Sequence, residues 1–97
     1  MPRYLVERTF PDGLDIPTND TGAKTCRAVV QNNAEENVSW VNSYVIPDST
    51  KTYCIYDGPS PESIRRAAEA NGLPVDSITE VRVLDPYFYI GHIGVGS

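Results

Sequence analysis

The chain has 97 residues, enough for one compact domain with a thin core, since a domain this short buries only about two-thirds of the surface its unfolded form exposes. Apolar residues make up 40% and charged residues 22%, which excludes disordered and collagen-like classes. The formal charge is −5, and the eight Lys and Arg are scattered, which argues against nucleic acid as a partner because backbone binding needs cations gathered on one face.

Residues 3–10 alternate, with Tyr4, Val6, Arg8 and Phe10 on one side and Arg3, Leu5, Glu7 and Thr9 on the other, and this predicts a first strand. Met1-Pro2-Arg3-Tyr4 leads straight into it without the pattern of a signal peptide, and no apolar run approaches the roughly eighteen residues of a membrane span. No membrane partner is expected. Pro11-Asp12-Gly13 ends the strand, and a loop rich in turn residues follows to Gly22, with Asp20 or Thr21 placed to cap a helix. Ala23, Cys26, Val29, Val30 and Ala34 fall three and four apart, so an amphipathic helix is predicted over residues 23–36.

Alternation returns over residues 38–46, setting Val38, Trp40, Asn42 and Tyr44 against Ser39, Val41, Ser43 and Val45. Pro47-Asp48-Ser49 is a turn, and the β-formers of residues 51–56 complete a hairpin. Ser60-Pro61-Glu62 is the clearest helix start, with a capping hydroxyl, proline at the first helical position and an acid near the positive end of the dipole. Ile64, Ala67 and Ala68 form that helix's stripe, and Asn71-Gly72-Leu73-Pro74 ends it. A fourth strand is expected over residues 78–84, broken by Asp85-Pro86. The tail from Tyr87 to Ile93 is too aromatic for a solvated terminus and is expected to pack against something.

The order β-α-β-β-α-β predicts an α+β, ferredoxin-like domain over residues 1–86, followed by an aromatic tail over 87–97. Its four-stranded antiparallel sheet would have strands one and three at the centre and both helices on one face. The expected helix-facing residues are Tyr4, Val6, Val41, Val45, Tyr53, Ile55, Val81 and Val83. The other face would carry Leu5, Glu7, Trp40, Asn42, Tyr44, Thr52, Cys54, Tyr56, Glu80 and Arg82, an aromatic and charged surface suited to a homodimer enclosing a small cavity. Glu7, Trp40, Asn42, Tyr44, Cys54, Tyr56 and Arg82 are therefore the candidate ligand-binding residues. Glu7 and Arg8 are consecutive, so one charge must point at each face, and the one toward the helices needs a partner. Glu7 with Glu80, Arg82, Tyr44 and Tyr56 is a candidate acid/base cluster, while the plainer expectation is a Glu7–Arg82 cross-strand ion pair.

Four segments carry a resemblance: residues 4–10, residues 40–45, Ala70-Asn71-Gly72-Leu73-Pro74, and above all Lys51-Thr52-Tyr53-Cys54-Ile55-Tyr56-Asp57-Gly58-Pro59-Ser60-Pro61-Glu62, whose Tyr53-to-Pro59 passage from strand to helix is the most specific piece. Over roughly residues 3–84 the chain resembles a family of small bacterial domains whose best-described relatives are nickel-responsive, nickel-binding proteins. The resemblance implies a ferredoxin-like fold, a dimer, and nickel or another transition-metal ion as a possible cofactor. Nickel needs imidazole, thiolate or backbone donors that converge. Cys54 is the one soft donor inside the shared region, and the single histidine, His92, lies in the tail, so Cys54 and His92 are the candidate metal ligands. Cys54 mid-strand and Cys26 on a helical stripe otherwise read as small buried hydrophobes, reduced in a cytoplasmic setting.

No nucleotide-binding or hydrolase motif occurs. Three function classes follow: a dimeric binding protein holding a small molecule or metal ion on the open sheet face, a cofactor-free dimeric α+β barrel enzyme of isomerase, cyclase or monooxygenase type, and a module whose tail grips a neighbour.

Overall fold

In the computed structural model, which describes residues 1–95 and side chains as far as residue 91, the elements run β1 (Arg3–Thr9), α1 (Asp20–Glu35), β2 (Ser39–Val45), β3 (Lys51–Asp57), α2 (Pro61–Asn71), β4 (Ser77–Val81) and α3 (Pro86–Val95). The four strands form one antiparallel sheet in the order β2-β3-β1-β4, with β1 and β3 central as the element order requires.

Local chemistry explains the helix limits. Asn19 caps α1, its Oδ1 accepting from the amides of Thr21 at 3.0 Å and Gly22 at 3.1 Å. Ser60 does the same for α2 through the Ser63 amide, with Pro61 in the first turn. Gly72, at φ 67°, lets α2 close as a Schellman turn, with Leu73 N–H donating to Ala68 at 2.9 Å and Gly72 N–H to Glu69 at 3.1 Å.

α2 buries the expected Ile64, Ala67 and Ala68, and with Tyr4, Val6, Val38, Cys54 and Tyr56 these make the core. The seam of α1 differs from the expected stripe: Gly22 and Asn33 are buried and Cys26 and Val29 half-buried, while Ala23, Val30 and Ala34 face solvent. A polar clasp joins the two helices, with Asn32 Nδ2 donating to Asn71 Oδ1 at 2.8 Å and Asn71 Nδ2 to Asn33 Oδ1 at 3.0 Å.

The register of β3 corrects the expected faces. Tyr4 lies opposite Tyr56, Val6 opposite Cys54 and Arg8 opposite Thr52, so Thr52, Cys54 and Tyr56 point to the helices, and Tyr53 and Ile55 to the open face. Both faces of this strand carry β-formers, so alternation alone could not decide between them. Gly58 shares the parity of 52, 54 and 56 and is buried where a Cβ would meet Ile64 and Val38 at 3.2 Å, which fixes the helix side.

In β2 a bulge between Trp40 and Asn42 inserts Val41. Trp40, Ser43 and Val45 thereby share the helix face, while Asn42 and Tyr44 lie on the open one. β4 ends at Val81, three residues early, and its pairing sends Glu80 to the helix side and Val81 to the open side. The open face is thus built from Leu5, Glu7, Asn42, Tyr44, Tyr53, Ile55, Thr79 and Val81.

The tail forms the helix α3. Asp85 caps it through the amides of Tyr87 and Phe88, and Tyr87, Phe88, Tyr89 and Ile90 are all exposed. No described helix is long and apolar enough to cross a membrane.

Candidate functional site

The structure divides the sequence-predicted ligand residues between the two faces. Glu7, Asn42 and Tyr44 are on the open face, and Trp40, Cys54 and Tyr56 are on the helix side. Arg82 lies beyond the end of β4 and belongs to neither. The acid/base cluster is therefore not assembled, and Glu7 pairs with Lys51 at 3.1 Å instead of Arg82. Its carboxylate also accepts weakly from Ser77 Oγ at 3.5 Å.

Trp40, Cys54 and Tyr56 meet in a cavity of about 200 Å³ between the sheet and α1. Thr52 and Ser43 of the sheet, Thr25 and Val29 of α1, Leu73, and Phe10, Leu14, Asp15 and Ile16 of the β1–α1 loop line it as well. Most of these surfaces are apolar, with a few hydroxyls and two charged residues, Arg8 and Asp15, the general make-up of a small-molecule site. The bulge in β2 contributes directly, because it brings Ser43 round to accept from Trp40 Nε1 at 2.8 Å and so holds the indole in place.

Of the two charged residues, Asp15 is exposed on the loop and Arg8, which sequence reasoning singled out only as one of two consecutive charges, is buried. Its residue is 2% exposed. Nη1 donates to the Pro74 carbonyl at 2.6 Å and Nη2 to the Tyr56 hydroxyl at 3.2 Å, with the guanidinium carbon 5.7 Å from the Tyr56 ring centroid. Nε is buried without a hydrogen-bond acceptor, and among the described residues no carboxylate pairs with this cation. Neutral acceptors and a ring face soften the several kcal/mol that burying a charge costs, but they do not neutralise it. Burial pushes the Tyr56 phenol above its ordinary value, with Arg8 pulling the other way and Cys54 adding to the rise, so the phenol is neutral near pH 7 and its oxygen accepts from Arg8.

The cysteines are free thiols, Cys54 buried in the cavity wall and Cys26 half-buried on α1. Cys54 Sγ donates to Thr52 Oγ1 at 3.5 Å. Among the described residues no three His, Cys, Asp or Glu side chains converge, and a lone thiol amid hydroxyls and hydrocarbon does not fit a transition-metal site. The His92 side chain lies outside the described residues. A wider depression of about 430 Å³, lined by Met1, Pro2, Arg3, Asp57 and residues 80–83, is shallower, and Arg3 and Asp57 there satisfy each other at 2.7 Å.

Comparison with known proteins agrees with this architecture. The crystal structure of SCO4226 from Streptomyces coelicolor A3(2) superposes with a TM-score of 0.66 at 26% identity, covering 86% of this chain and 99% of that one. No curated protein matches the chain. Residues 4–81 match the family described as nickel responsive protein SCO4226-like, and the chain belongs to that family.

Proposed function

We propose that the chain is a small-ligand-binding protein whose site is the cavity beneath α1 and the β1–α1 loop, on the helix side of the sheet and not on the open face. The observation that carries this reading is the convergence of Arg8, Tyr56, Ser43 and Trp40 on an otherwise apolar cavity. Amide shift mapping with hexanoate, hexanamide, benzoate and benzamide tests it. Shifts gathered at Ser43, Thr52 and Cys54 support the cavity; shifts gathered at Leu5, Tyr53 and Ile55, or none, contradict it.

The open face has a different role in this proposal, that of a homodimer interface. Glu7–Lys51 and Arg3–Asp57 already neutralise its charges within the chain, leaving Leu5, Tyr44, Tyr53, Ile55 and Val81 as an apolar patch that a second copy can cover. Ile55→Glu is expected to halve the mass in solution; a mass unchanged from the wild type would count against this face.

The family's description favours a second reading, in which this chain answers to nickel. Equilibration with nickel, copper, zinc and cobalt, followed by desalting, decides it: stoichiometric retention of nickel supports it, and background retention removes it. Free thiols accord with a reducing, cytoplasmic setting.

A further inference from the structure

We infer that the cavity selects small monoanionic amphiphiles, with a carboxylate or like group placed against Arg8 and a hydrocarbon body lying on Trp40 and Val29. This rests on the proposed binding role of the cavity and adds the class of its ligand. A fully buried guanidinium held only by neutral acceptors, with Nε lacking any, is an unfinished charge pair. Asp15, the one carboxylate in the wall, sits in the exposed loop and forms no ion pair with it.

An arginine whose Nε–H finds no acceptor in the chain, beside an Nη2 held only by a neutral hydroxyl, is suited to a planar oxyanion. The rest of the wall fixes the remainder of the ligand. Beyond the few hydroxyls of Thr25, Ser43 and Thr52, the wall is hydrocarbon from Val29, Trp40, Leu14 and Ile16, so a polyol, a nucleotide or a dianion with two separated charges would strand most of its polarity. Size is limited as well: about 200 Å³ lies below the range of drug-sized pockets.

The test compares matched pairs that differ in charge and hardly in shape, hexanoate with hexanamide and benzoate with benzamide, by calorimetry on the wild-type protein. The acids are expected to bind about 10- to 100-fold more tightly than the amides, the difference a charge-assisted hydrogen bond supplies. The Arg8 Nε–H proton resonance should also move downfield when the acid is added. Equal affinities, or an unmoved Arg8 signal with the acid bound, overturn the inference while leaving the cavity as a binding site. Failure of all four compounds to perturb the cavity removes the binding role itself, and the inference with it. In Arg8→Met, if it folds, the preference for acids should vanish; its persistence would mean that another group reads the charge. Should Arg8→Met not fold, the matched pairs on the wild type decide alone.

Discussion

Gly22 is the most exposed point of the account, because helix propensity and local sterics make opposite predictions there. Replacing a helical glycine by alanine ordinarily stabilises by about 1 kcal/mol, and by less in a first turn where fewer backbone bonds are closed. Yet a Cβ on Gly22 would overlap the Pro17 carbonyl oxygen and lie 2.9 Å from its carbon and 3.4 Å from Ile16 Cγ2. The loop must withdraw, and two things go with it. The Asn19 cap, tied to Pro17 through a 3.0 Å hydrogen bond, contributes about 1–2 kcal/mol, and the partial burial of Ile16 contributes about 1 kcal/mol more. The losses exceed the gain, and Gly22→Ala is expected to destabilise by roughly 1–2 kcal/mol. For a domain of this size that is a fall in Tm of roughly 4–8 °C for each kcal/mol. Urea unfolding with an unchanged m-value is the assay. A midpoint at or above that of the wild type would refute the close approach of loop and helix, and with it the loop's place in the cavity wall.

Gly72→Ala should cost about 1 kcal/mol by chemical denaturation even though a Cβ there meets open space, because the penalty lies in the left-handed φ of 67° alone; a neutral result would show that the turn relaxes freely. The Arg3 guanidinium holds Asp57 below the usual carboxylate range through its hydrogen bonds at 2.7 and 3.0 Å. With the folded value depressed, the stabilisation is fully present above the unfolded aspartate's pKa and is lost as pH falls through the lowered folded value. Carbon-detected titration of Asp57 should therefore shift upward in Arg3→Gln, and an unmoved midpoint would show that the pair does not persist in solution.

Much of the fold was legible because its signals are local. Ser60-Pro61 marked α2, Gly72 ended it, and the order of elements placed β1 and β3 at the centre of the sheet. The faces were less legible. β3 carries β-formers at every position, so its parity was set by Gly58 beneath Ile64, a contact that exists only after α2 has docked. In β2 the bulge at Val41 broke the two-residue period midway, which separated Trp40 from Asn42 and Tyr44.

These two slips moved the candidate site. Cys54, Tyr56 and Trp40 were found from sequence but placed on the wrong side, whereas Arg8 became their partner only through the register of β1 against β3. The tail held a missed signal of a kind recognised elsewhere: Asp85-Pro86 is a cap followed by proline, as Ser60-Pro61 is, and it starts α3.

A crystal structure of the protein grown with hexanoate puts the central proposition to its most direct trial. A carboxylate within hydrogen-bonding distance of Arg8 Nε, its chain lying against Trp40 and Ile16, is the predicted outcome. Hexanoate seated instead on Leu5 and Ile55, with the space beside Arg8 filled by the protein's own side chains, would contradict it.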